Sequence, residues 1–163
     1  STGPNIKMVP KEILTKVFDV NVKDLLKTHV AKNLVGSNVA GSMAQNMHVA
    51  NALAAFYIAT GQDPAHAVGG SEASVTFEKQ GDGLYVALTL PSVSVGSVGG
   101  GTWFPKQSQA RALIMPSANF KKSNDNSMTL ALAAGVAAFA GEISGLCALT
   151  NQSLADAHQK LAR

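Results

Sequence analysis

Two short stretches carry the chemistry in this chain: Gly96 to Thr102, GSVGGGT, and Ala59 to Pro64, ATGQDP. A glycine triplet directly after an alternating strand pattern lets backbone N–H groups approach a ligand with no Cβ in the way. Taken alone, such a triplet is a tight strand exit about as often as it is a ligand cradle. Asp63 lies two residues beyond Gly61, which ends a long apolar stretch, so it puts a carboxylate at the rim of a core. A helix is negative at its C-terminal end, so the acid gains nothing there from the dipole. A residue that breaks a local rule is a hint of function; the plain alternative is a solvated loop acid.

Other reactive side chains are sparse. His29, His48, His66 and His158 fall on separate elements, without a ligand pair at helical spacing or a cysteine partner, so no metal site is expected. The one cysteine, Cys147, lies in an apolar helical pattern and reads as a buried structural thiol. No G-x-G-x-x-G leads from a strand into a helix, so the glycines are not the dinucleotide fingerprint. His158 by itself reads as a surface histidine. Asn46, His48 and Asn51 interrupt an otherwise apolar run, and buried polar groups require partners. Backbone hydrogen bonds would satisfy them as well as a ligand would.

These groups have to be positioned by one domain of 163 residues, long enough for a real core. Pro10 opens a helix with Ile13, Leu14, Val17 and Phe18 on its apolar face. Asn21 caps a second, faced by Val22, Leu25, Leu26 and Val30. Gly36 to Ser42 reads as a flexible loop. Ala44 to Thr60 is apolar almost all round, which predicts a helix buried on every side and stopped by Gly61. Residues 73–79 and 84–90 alternate about Gly81-Asp82-Gly83, a hairpin, and Val93 and Val95 continue the pattern past Pro91 to the glycines. Pro105 starts a helix reaching Met115, and residues 121–126 form a polar loop. A long Ala/Gly-rich helix runs from Ser127 to Thr150, and Ser153 caps a short terminal helix that carries His158. The stretch from Met128 to Gly141 is too short for a membrane span and ends at Glu142, so a buried helix is expected. The fold class is therefore α+β: a long buried central helix with surrounding helices and an antiparallel hairpin.

Charged residues are 14% of the chain, against roughly 25% in typical soluble domains. So little polar surface predicts that part of the chain is covered by another subunit or by further sequence. The net charge of +3 is scattered, with neither a basic stripe nor interleaved aromatics, which sets nucleic-acid binding aside. The polar start lacks the apolar core of a signal peptide.

In order along the chain, KNLVGS (32–37), AGS (40–42), NMH (46–48), Asn51, GQD (61–63), VG (68–69), LPS (90–92), GSVGGGT (96–102), AGEIS (140–144) and a terminal histidine resemble the 3-hydroxy-3-methylglutaryl-CoA (HMG-CoA) reductase family. The VGGGT form is similar to the class I enzymes. The resemblance implies a C-terminal portion of the catalytic domain, part of its large domain, with NADPH as cofactor and a CoA thioester as substrate. The family reduces HMG-CoA to mevalonate by two hydride transfers, in isoprenoid biosynthesis.

Roles follow from the resemblance residue by residue. Lys32 would bind the substrate's free carboxylate, Asn51 would hydrogen-bond near the reacting carbonyl, and His48 would line the same pocket. Asp63 would be the catalytic acid, and His158 would protonate the departing thiolate. Gly96, Val98, Gly99, Gly100 and Gly101 would lie against the nicotinamide cofactor, and Leu146, Ala148 and Leu149 would border the pocket near His158. The family's catalytic glutamate, its loop lysine and its small cofactor subdomain have no match here. Gly145 stands where the family often has a bulkier apolar residue, and Ser153 where class I enzymes can have another histidine. The expected partners are the N-terminal half of the catalytic domain and a second copy in a homodimer or larger oligomer. The expected setting is cytoplasmic, with a membrane anchor on upstream sequence left open. The rival reading is a non-catalytic paralogue that binds an acyl-CoA or serves as an assembly module. It needs Lys32 and the glycines but neither Asp63 nor His158.

Overall fold

The computed structural model describes residues 8–115 and 123–153. Helix α1 (Lys11–Phe18) opens after Pro10 and turns into α2 (Val22–His29), where the Asn21 side chain accepts the Asp24 N–H at 2.9 Å. Of the predicted Gly36 to Ser42 loop, residues 36–39 are instead helical and only 40–42 leave the helix. The chain winds on through a π-helical stretch, Val30–Gly36, into the short α3 (Ser37–Val39). Serine and asparagine disfavour helix only weakly and glycine by about 1 kcal/mol, and here Asn33 and Ser37 are buried on its inner side.

Residues 42–48 form an irregular turn, so the next helix, α4 (Val49–Thr60), starts later than the apolar run suggests. Nor is it buried all round. Val49, Leu53 and Tyr57 face the core, while Ala50, Asn51, Ala55, Ile58 and Ala59 are exposed. Gly61 ends it in the left-handed region, φ 74°, as expected. A 3-10 turn (Pro64–His66) and α5 (Ala67–Ser71) follow.

Strands β1 (Ser74–Gln80) and β2 (Gly83–Thr89) pair antiparallel, Ser74 opposite Thr89 and Gln80 opposite Gly83. Val75, Phe77, Leu84, Val86 and Leu88 turn inward. Val9 bridges to Leu84 and Gln45 to Ser74, so the hairpin is tied to both the start of the chain and the irregular turn. Residues 91–104 form no strand, contrary to the pattern in Val93 and Val95. Pro91 removes a donor, and among the described residues the sheet consists of β1 and β2 alone.

Helix α6 (Pro105–Ile114) begins at Pro105 as predicted, and α7 (Ser123–Thr150) starts a turn earlier than predicted, so Ser123–Asn126 are helical rather than loop. Helix α7 crosses α4, α2 and α1, burying Leu130, Ala134, Ala138, Phe139, Leu146 and Cys147. Its small residues allow close approach. Residues 126–150 are long and apolar enough to cross a membrane by length and composition, yet this helix packs as the centre of a mixed α+β core. The capped terminal helix with His158 lies outside the described residues.

Candidate functional site

Lys32 sits in the π-helical stretch, a wider turn that often accompanies functional positions. Its half-buried Nζ donates to the Asn46 carbonyl at 2.6 Å. Burial pushes the lysine below its ordinary pKa, and the charge of Glu142 partly opposes that. Asn46 is held in turn: its amide donates to Ser71 O and Ala73 O, both at 2.8 Å. Its side chain is thus satisfied by backbone, the plainer of the two readings. His48 precedes α4, and its buried Nδ1 has no hydrogen-bond partner among the described residues. Asn51, on the first turn of α4, is exposed. Lys32, His48 and Asn51 therefore gather at the N-terminal end of α4.

Asp63 belongs to the other end. Its carboxylate accepts the Ala65 N–H at 2.9 Å, which caps the 3-10 turn and leaves the exposed side chain with free lone pairs. The two residues before it grip the glycine turn. Gly101 N–H donates to Gly61 O at 3.2 Å, and a Cβ on Gly61 would stand 2.5 Å from Gly101 O. The Gln62 side chain brackets Gly96, accepting its N–H at 2.7 Å and donating to its carbonyl at 3.0 Å. The two stretches prominent in the sequence thus meet in space.

The turn itself is built for close approach. Gly99 and Gly100 take φ 82° and 54°, and a Cβ on Gly99 would meet nothing within 4 Å. Val98, Gly99 and Gly100 are exposed. Beneath them the buried Arg111 donates to Ser97 O at 2.7 Å and to Thr102 O at 2.5 Å, stapling the two sides of the turn. The glycine backbone of the turn is thus left open above Arg111.

In one copy of the chain these two groups lie apart. Helix α4 separates them, and its twelve residues span about 18 Å. Leu146 is wholly enclosed in the core, while Ala148 and Leu149 are half-buried on the last turn of α7. A groove of about 960 Å³ lined by Val22, Leu26, Val30 and the lysines 23 and 27 includes none of the sequence-predicted site residues.

The sequence of residues 5–163 matches the family model for hydroxymethylglutaryl-coenzyme A reductase. The chain belongs to this family. It is 39% identical to the 3-hydroxy-3-methylglutaryl-coenzyme A reductase of Haloferax volcanii over 155 residues, which are 95% of this chain and 38% of that protein. The corresponding enzymes of Aeropyrum pernix and Blattella germanica are each 38% identical, over 96% and 94% of this chain and 37% and 18% of theirs. The chain thus spans less than two fifths of the length of the relatives it matches.

Within the reductase family's pattern, two residues that sequence reasoning gave no role are prominent here. Glu142 is fully buried at mid-helix, and its carboxylate accepts the Met47 N–H at 2.9 Å and the His48 N–H. Its signal was present in the AGEIS motif, but a lone acid in a small-residue helix has no period to betray its partner. Arg111 gave no signal at all: it is one polar position of the helix that Pro105 starts.

Proposed function

We propose that this chain is the C-terminal part of an HMG-CoA reductase catalytic domain and acts in the NADPH-dependent reduction of HMG-CoA to mevalonate and CoA. The observation that carries the reading is the packing of Gly61 and Gln62 onto the glycine turn, in a chain of this family. It supports the reading because Asp63, whose side chain is exposed, follows directly on the two residues that hold the glycine turn. NADPH, when bound, supplies the hydride.

The chain's own residues bind, orient and move protons. Lys32 has one of three ammonium protons committed to Asn46, and the others are available to the substrate's free carboxylate. The exposed Asn51 amide, at the same end, donates to the thioester carbonyl. Asp63 holds the proton that the reduced carbonyl oxygen takes up. His158 delivers a proton to the departing thiolate sulfur. Lys32 and Asp63 lie at opposite ends of α4, so the pocket needs a second polypeptide segment. We assign that part to the remaining catalytic domain and to a second copy in a homodimer or larger oligomer. The cytoplasmic setting belongs to the same proposal.

Support for a covered surface comes from the side chains left exposed. Met128, Leu132 and Val136 form a stripe along α7, and Val98, Trp103 and Phe104 flank the glycine turn. Such faces mark association sites.

The test is reconstitution. The isolated chain, given NADPH and the thioester, is expected to oxidise no cofactor, and adding the N-terminal half restores turnover. Turnover by the isolated chain would contradict the placement of essential groups elsewhere. In the reconstituted protein Asp63→Asn is expected to lower kcat by about 100-fold or more. Unchanged turnover would remove Asp63 from the mechanism and favour the acyl-CoA-binding or assembly module.

A further inference from the structure

The turn that receives Lys32 is also held by α7. Glu142 reaches across some 95 residues of sequence to that turn, accepting the Met47 N–H with both oxygens, at 3.1 and 2.9 Å, and the His48 N–H with Oε1. A wholly buried carboxylate is costly unless strongly paired, and charge-assisted bonds to N–H groups ahead of a helix N-terminus are such a pairing. One residue earlier, Asn46 O accepts from Lys32. A buried carboxylate and a half-buried ammonium thus grip one turn at adjacent residues.

Helix α7 is also shaped for this turn. A Cβ on Gly141 would collide with the His48 ring at Nδ1, and one on Gly145 would lie 3.4 Å from the Met47 thioether. Among the described residues Lys32 has no carboxylate within 4 Å, so its free protons are unclaimed by ion pairing. Packing alone would be served by a neutral residue at position 142. A charge there fixes the turn and stabilises the ammonium in a partly dry setting.

We propose that Glu142 is a positioning residue of the substrate-anion site, setting the Asn46 carbonyl that aims Lys32 and seating the His48 imidazole. This rests on the reading that Lys32 binds the free carboxylate of the thioester.

The experiment is steady-state kinetics on the reconstituted enzyme with Glu142→Gln, Glu142→Asp and Gly141→Ala. Glu142→Gln is expected to raise KM for the thioester about tenfold, with KM for NADPH and kcat changed by less than about twofold. Glu142→Asp recovers part of the loss. Gly141→Ala keeps the charge but displaces the imidazole, and gives the same selective rise. Should Glu142→Gln not fold, the other two variants decide. An unchanged thioester KM, or a parallel rise in both KM values with a fall in Tm, overturns the proposal by making Glu142 merely structural. If the wild-type assembly does not turn over, the reductase reading fails instead. Calorimetric binding of 3-hydroxy-3-methylglutarate to the assembly, weakened by Glu142→Gln or not, then decides the positioning role.

Discussion

Cys147 shows how burial alone sets a residue's chemistry. Its thiol is almost wholly enclosed, and desolvation pushes its pKa from the ordinary 9.0 to about 11. The folded chain holds that proton where the unfolded chain releases it. The contribution is fully present below pH 9 and is lost as pH rises toward 11. Urea unfolding midpoints measured across that range are expected to fall more steeply for the wild type than for Cys147→Ala. At neutral pH a thiol-specific reagent should label the native chain slowly and the urea-unfolded chain fast. Rapid labelling of the native protein would mean an accessible, activated thiol. The reactive groups we propose for the site are the opposite case: Asp63 and Asn51 are exposed and cost the fold little, which leaves them free for a ligand.

At the scale of elements, the site is a matter of helix ends. Gly61 stops α4 in a conformation that L side chains rarely adopt, and the same glycine lies against the turn that would meet the cofactor. Arg111 of α6 then fastens the turn with one guanidinium spread over two carbonyls. Lysine offers a point charge in place of that planar fork. Arg111→Lys is therefore expected to raise KM for NADPH about tenfold in the reconstituted enzyme while leaving KM for the thioester in place. This is the mirror image of the Glu142 variants, because the two residues serve opposite ends of α4. A rise in both constants would show instead that the two ends are coupled through that helix.

The whole molecule is poor in charge, and its exposed apolar residues are not scattered at random. Met128, Leu132 and Val136 lie four residues apart on one side of α7, while Leu130, Ala134 and Ala138 fill the other. A stripe of that kind expects a cover. Leu132→Glu together with Val136→Glu should change the stability of the isolated chain by no more than about 0.5 kcal/mol per site, as exposed positions do. The same pair should abolish association with the N-terminal half or with a second copy, measured by sedimentation velocity. Unaltered association would free this face from the interface.

Local chemistry was legible without coordinates. The Asn21 cap, the Gly61 stop, the hairpin about Gly81-Asp82 and the start at Pro105 depend only on neighbours in sequence, and each appears where the residues put it. The motifs carrying the family also lie in the sequence. The helical winding of 30–39 did not, because packing outweighed weak local preferences, and neither did the exposed side of α4, since an alanine-rich helix reads the same covered or bare. Partnership over distance was out of reach for the same reason. Nothing near Glu142 names the turn 95 residues earlier that it holds, and only the crossing of α7 over α4 brings that carboxylate to the N–H groups that neutralise its burial.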